Sequence, residues 1–146
     1  MIEIKIAVTD EEIKKCFPVM QQLRPHIKDA ETFLRRVKSQ QNNSGYFLAY
    51  LQDNNNVKSC AGFIFAEKLF SGRMMYVDDL VSDEGERSKG YGDKLFDWLV
   101  NHAKENNCDQ LHLDSGVHRH GAHRFYLRKR MDITSYHFVL KLTDNF

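Results

Sequence analysis

Arg87-Ser88-Lys89-Gly90-Tyr91-Gly92 is the segment whose residue types and spacing most clearly suit chemistry. Its glycines let the backbone approach a ligand closely. It also leads into an apolar-striped helix, whose first-turn N–H groups and positive dipole end favour phosphate. The spacing therefore predicts a pyrophosphate cradle. Two other phosphate loops do not fit: the run lacks the Gly-Lys-Ser/Thr ending of a Walker A loop and the G-x-G-x-x-G of the dinucleotide fingerprint. Its pattern is R-x-x-G-x-G.

Three further groups bear on chemistry. Asp78, Asp79, Asp83, Glu84 and Glu86 gather just before the loop, a concentration of carboxylates suited to a cationic acceptor such as a polyamine, an aminoglycoside or a protein amine. His118, His120 and His123 lie close together, with His112, His137 and Cys108 elsewhere in the C-terminal half. Their H-x-H-x-x-H spacing does not give the i, i+4 pair that a helix offers a metal, so no metal is expected. They read instead as loop and helix-start residues, with His118 or His120 able to hydrogen-bond a substrate. Arg119, Arg124, Arg128, Lys129 and Arg130 make residues 118–130 basic, with Phe125 and Tyr126 interleaved. Such a stretch suits RNA, the phosphates of a small ligand, or plain solvation; nucleic acid is not the expected partner.

The elements that position these residues belong to a chain of 146 residues, 42% hydrophobic and 28% charged, which predicts one soluble globular domain. With 21 Lys+Arg against 20 Asp+Glu, the formal net charge of +1 gives no global pull toward nucleic acid or an anionic membrane. Apolar runs are only a few residues long and the N-terminus alternates charge with isoleucine, so a membrane span and a signal peptide are not expected, and the expected location is cytoplasmic. Cys16, Cys60 and Cys108 are odd in number and in no CxxC spacing, which predicts reduced thiols.

Period-two alternation predicts a strand over residues 2–8. Thr9 and Glu12 match a capping box, predicting a helix over 10–22, and a second helix follows over 29–41 with Phe33, Leu34 and Val37 at helical spacing. Strands are predicted over 46–51 and 57–68 with an Asp-Asn-Asn-Asn turn between them, then over 73–82. A polar loop over 83–92 precedes the helix of 94–106, whose stripe is Leu95, Phe96, Leu99, Val100 and Ala103. A short strand over 110–114, a helix over 121–129 and one or two closing strands over 133–142 complete the order. That order predicts a mixed α/β sheet with helices on both faces.

At this point the sequence resembles the GNAT N-acetyltransferase superfamily. The resemblance rests on the strand Val77-Asp78-Asp79-Leu80-Val81, the R-x-x-G-x-G loop, the helix after it and Ala122-His123-Arg124-Phe125-Tyr126, which is similar to the family's A-x-x-F-Y segment. These elements fall in family order over about the C-terminal half. The resemblance implies a single domain over residues 1–146, with a mixed, mostly antiparallel central sheet of about six to seven strands and about four flanking helices. It implies acetyl-coenzyme A as the acyl donor, with the pyrophosphate on the amides of Arg87, Ser88, Lys89, Gly90, Tyr91 and Gly92 and at Asp93. The pantetheine arm would lie along Leu80, Val81 and Ser82. One departure is Arg130-Met131, where the family usually has a Gly-aromatic pair.

The activity so implied is transfer of acetyl to a primary amine of a small molecule or protein within a ternary complex. Tyr126 matches the family tyrosine beside the sulfur, where it can protonate the departing thiolate. The family's strand glutamate base would align with Tyr76 and is absent. Asp78, two residues on and by strand alternation on the face of Tyr76, is the preferred base, while Asp79 should face the other way. Glu84, Asp83, His112 and a water chain stand as alternatives. The missing glutamate also keeps open a non-catalytic coenzyme A-binding regulatory module of the same fold. A homodimer through the C-terminal strands is a further expectation.

Overall fold

Thr9 and Glu12 close the predicted capping box in the computed structural model, which describes residues 1–146. Thr9 Oγ1 accepts the Glu12 N–H at 3.2 Å, and Glu12 Oε1 accepts the Thr9 N–H at 3.0 Å. Backbone N–H groups of Thr9 and Val8 hold the Glu12 carboxyl down at about 2. The helix so started, α1 (Asp10–Lys15), stops at Cys16, and α2 (Phe17–Leu23) begins afresh with Pro18 in its first turn. The single helix expected over 10–22 is therefore two. Proline has no N–H to give and crowds the carbonyl four residues back, yet it is well tolerated in a first turn.

Helix α3 (Ala30–Ser44) is capped by Asp29, whose Oδ1 accepts the Thr32 N–H at 2.7 Å, and it ends at Gly45 with φ 66°. The remaining helices are α4 (Tyr91–Glu105) and α5 (His120–Arg128), with a 3-10 turn over Glu84–Lys89. Strands β1 (Ile2–Ile6), β2 (Phe47–Asp53), β3 (Asn56–Lys68), β4 (Gly72–Ser82) and β5 (Gln110–Leu113) form one sheet in chain order. All neighbours are antiparallel except β4 and β5, which run parallel.

The chain forms two compact units, Met1–Leu113 and Asp114–Phe146. In the first, both faces of the sheet are covered. Ile13, Cys16, Met20, Phe33 and Val37 from α1–α3 pack with Leu48, Tyr50 and Val81 on one face. Leu95, Leu99 and Ala103 from α4 pack with Ala49, Phe63, Met75 and Val77 on the other. Fully burying a side chain such as Phe63 or Leu99 contributes roughly 1.5–3 kcal/mol, so this two-sided burial is what fixes the sheet.

The sheet has five strands, not the six to seven expected, and the closing strands read over 133–142 do not form. Tyr136, Phe138, Leu140 and Leu142 keep a period-two spacing but are between 84% and 91% exposed. Alternation is a property of side chains, whereas a strand also requires a neighbour to exchange backbone hydrogen bonds with. The helices number five plus the 3-10 turn, against about four expected, the excess coming from the break before Pro18.

Candidate active site

The register of β4 against β3 shifts between Gly62 and Phe63: Gly62 pairs with Asp79, but Phe63 pairs with Val77. Asp78 is the extra residue of a β-bulge. The phase change is visible in the packing, because Val77 lies in the α4-side core while Val81, four residues on, lies in the opposite one. On a regular strand residues four apart share a face. The bulge thus corrects the expectation that Asp79 faces away from the side of Tyr76 and Asp78: Asp79 and Val81 lie two apart beyond the bulge, on the α1–α3 side. Burial, and then the neighbouring Asp79 carboxylate, push the Asp78 carboxyl up to about 6, with Arg24 acting against them.

Asp79 is held from two elements. Arg24, at the end of α2, donates from Nε to Asp79 Oδ1 at 2.9 Å and from Nη2 to the Asp78 carbonyl at 2.8 Å. The Tyr46 hydroxyl donates to Asp79 Oδ2 at 2.7 Å. Burial and the Asp79 charge raise the Tyr46 phenol well above its usual range. Tyr46 lies over Gly62, the residue that faces Asp79 across the ladder. Arg24, Tyr46 and Gly62 were not singled out from the sequence.

Beyond the bulge the sheet opens on one side. The β4 ladder to β5 ends at the pair Val77 and Leu113, while the ladder to β3 continues through Leu80 and Val81 to Ser82. The Leu80 and Val81 side chains pack in opposite cores, so it is their backbone that faces along the sheet. Ser82 Oγ lies 3.1 Å from Ser59 Oγ.

The loop from Arg87 to Gly92 follows β4 in the chain. The 3-10 turn ends at Gly90, whose φ of 78° is the left-handed conformation that favours glycine, and α4 starts there with no side chain capping it. A Cβ on Gly90 would meet nothing within 4 Å, whereas one on Gly92 would lie 2.8 Å from Ser82 Oγ. The absence of a side chain at 92 is what seats the start of α4 against the end of β4. Tyr91 is buried and donates to Asp53 Oδ2 at 2.7 Å, tying the helix start to the end of β2. Arg87, Ser88, Lys89 and Asp93 are exposed.

Besides Asp79, the carboxylates of Asp83 and Glu86 are each engaged by their own partners. Asp83 Oδ1 accepts from Gln22 Nε2 and from the Gly85 N–H, both at 3.3 Å. The Glu84 N–H donates to Gln22 Oε1 at 2.9 Å. Glu86 receives Lys58 at 3.1 Å and Lys89 at 2.7 Å. Gln22, on α2, latches the loop and was also missed.

In the second unit Tyr126 is buried on α5, and burial raises its phenol, with Arg119 acting against the rise. A ring nitrogen of His123 lies 2.7 Å from the Gly116 carbonyl oxygen, and the His120 and His123 rings stand edge to face at 6.1 Å. His112, on β5, lies 2.6 Å from Gln110 Oε1. No helix is long and apolar enough to cross a membrane.

This arrangement, a mixed sheet with a bulged fourth strand, a ladder that ends halfway along it and an uncapped helix at its end, is that of an acetyltransferase fold. The chain belongs to the acetyltransferase (GNAT) family, whose description it matches over residues 8–131. It is 33% identical over 139 residues to an uncharacterized N-acetyltransferase, YhdJ, of Bacillus subtilis (strain 168), covering 94% of this chain and 97% of that one. Among solved structures, a transcriptional regulator from Bacillus halodurans C-125 superposes with TM-score 0.84 at 16% identity over 97% of this chain and all (100%) of that one. A predicted acetyltransferase from Clostridium acetobutylicum, solved with acetyl-CoA, superposes with TM-score 0.75 at 18% identity, covering 97% of both chains. At these identities the structural likeness speaks to the fold.

Proposed function

We propose that this protein is an N-acetyltransferase that takes acetyl from acetyl-coenzyme A and passes it to a primary amine within a ternary complex. The observation that carries this reading is the seating of α4. Its first-turn N–H groups have no side-chain cap, open space lies beside Gly90, and the helix starts at the end of the β4 segment that has run past β5. An uncapped helix start with its dipole favours a bound phosphate. A strand segment without a ladder partner offers backbone groups to an amide-bearing chain. The chain therefore fits the donor at both of its polar parts.

In this reading the backbone of Arg87 through Gly92, with Asp93 in the first turn, holds the pyrophosphate, and Leu80, Val81 and Ser82 receive the pantetheine arm. When bound, the donor supplies a thioester carbonyl open to attack by an amine. A backbone N–H at Leu80 or Val81 is the hydrogen-bond donor for that carbonyl oxygen. Asp78 takes the proton of the attacking amine: with its carboxyl at about 6 it is mostly ionised at neutral pH yet basic enough to accept a proton. Tyr126, which matches the tyrosine of the family's A-x-x-F-Y segment, is the proposed acid for the departing sulfur, and burial raises its phenol.

The test is calorimetric titration of the purified protein with acetyl-coenzyme A and with free coenzyme A, followed by a screen of amines for thiol release. Binding of both with thiol release on one amine class supports the enzyme. Binding without release on any amine leaves a regulatory coenzyme A-binding module, and no binding overturns both.

A further inference from the structure

Ile133, Tyr136, Phe138, Val139, Leu140 and Leu142 are all exposed, a concentration of apolar surface that no other stretch of the chain carries. As a strand this segment has two unlike faces. Tyr136, Phe138, Leu140 and Leu142 make one of them apolar, while Ser135, His137 and Lys141 make the other largely polar. That is the pattern of a strand with one side on a core, yet the segment pairs with no neighbour. His137 Nδ1 lies 3.6 Å from Asp114 Oδ1, a contact made from the polar face. The sheet, in turn, ends in a strand suited to receive an addition. β5 has β4 on one side and no strand on the other. Leu111 and Leu113 pack against the α4-side core but stay only partly buried. The opposite edge strand, β1, exposes Glu3 and Lys5, charges of the kind that blunt an edge against pairing. β5, Gln110-Leu111-His112-Leu113, has no lysine, arginine or carboxylate.

We infer that residues 133–142 are the docking strand of a homodimer, in which the segment of each copy adds to the free edge of β5 of the other, its apolar face beside Leu111 and Leu113. Every chain carries both the donor strand and the acceptor edge. A two-fold axis therefore satisfies both at once and leaves neither over, which closes the assembly at two copies. Strand addition supplies main-chain hydrogen bonds, and the alternate side chains supply the buried surface. An aromatic side chain buries about 150 Å² or more, so Tyr136, Phe138 and the two leucines of each copy, with the surface they cover, pass the roughly 1,200 Å² at which specific interfaces begin. Dimerisation in this form is independent of acyl transfer.

The experiment is sedimentation velocity of the intact protein across the micromolar range, with hydrogen exchange, on the native protein, Phe138→Ser/Leu140→Ser and Lys141→Ser. All three side chains are exposed in the single chain, so their replacement leaves its core untouched, and circular dichroism checks this. We expect twice the 17.1 kDa of one chain for the native protein and for Lys141→Ser. The double variant should raise the dimer dissociation constant by about 100-fold or more. Amides of residues 134–142 should exchange slowly in the native dimer and rapidly in the double variant. A native monomer, a dimer indifferent to Phe138→Ser/Leu140→Ser, equal weakening by Lys141→Ser, or rapid exchange over 134–142 within the dimer would overturn this interface. Slow exchange in a monomer would place the segment on its own chain, and a ladder of larger species would mean open edge association; either result also removes the closed dimer.

Discussion

The Tyr46 hydroxyl fills the space that a side chain at residue 62 would enter: a Cβ on Gly62 would overlap Tyr46 Oη. Tyr46 is buried, so its ring has little room to give way. Because Gly62 also faces Asp79 across the ladder, one glycine sets both the ring and the bulge. Gly62→Ala should cost about 3 kcal/mol, the upper range for overpacking a core, measured as a lower urea midpoint. A midpoint within experimental error of the native protein would mean that the ring can move aside.

Tyr46→Phe removes one of the two bonds to Asp79 without changing the shape of the ring. Leaving a buried carboxylate oxygen unpaired should cost roughly 1–3 kcal/mol at pH 7. Urea denaturation of the two proteins at pH 7 checks this, and an unchanged midpoint would mean that the bond to Asp79 contributes nothing to stability.

Asp78 ties activity to pH. Its carboxyl is raised from the usual 3.8 to about 6, so the base form is lost as pH falls through about 6. The rate per active site, kcat/KM, should rise with pH through that value and level off, and Asp78→Asn should abolish the limb and lower the plateau by about 10²-fold or more. Stability has the opposite sign. The native state holds the Asp78 proton more tightly than the unfolded chain does, so this group's contribution to stability is lost as pH rises from about 4 through about 6. Asp78→Asn should accordingly be more stable than the native protein at pH 8 by roughly 1 kcal/mol, after allowance for solvent screening, with no such gain at pH 4. Thermal melts at the two pH values check this.

Tyr126→Phe keeps the ring and removes the proton. Turnover should fall by about 10²-fold while acetyl-coenzyme A binding changes little, the pattern of an interaction made only in the transition state. A native turnover number would remove Tyr126 from the acid role, and weakened binding in proportion would make it a binding residue.

Gly92→Ala places a methyl group 2.8 Å from Ser82 Oγ, at the contact that seats α4 on β4. The helix start should shift, weakening acetyl-coenzyme A about ten-fold with a loss of only about 1 kcal/mol in stability. Gly92→Ala/Ser82→Ala should recover part of the affinity. Calorimetry on the two variants decides between a steric effect and a general loss of the helix.

Much of the scaffold was legible because its signals are local. The capping box at Thr9 and Glu12, the stripe along α4 and the loop ending at Gly90 each depend on residues within a turn or two of one another. Pro18 was an equally local signal for the break between α1 and α2 and went unread, because the capping box and the apolar spacing around it pointed to one helix. The strands expected over 133–142 failed for the opposite reason: their alternation is local, but pairing is not.

The site divides along the same line. By itself the sequence determined which residues sit on the strand and in the loop, that Asp78 lies near the loop in chain order, and that the segment from Arg87 to Gly92 suits phosphate. Tertiary structure decided what those residues experience. The bulge that puts Asp78 out of register depends on the pairing of β3 with β4, and the partners of Asp79 come from 55 residues away at Arg24 and 33 at Tyr46. Charge and burial act through space and fall off over a few ångströms, so a carboxyl pushed up to about 6 exists only once distant segments have packed together.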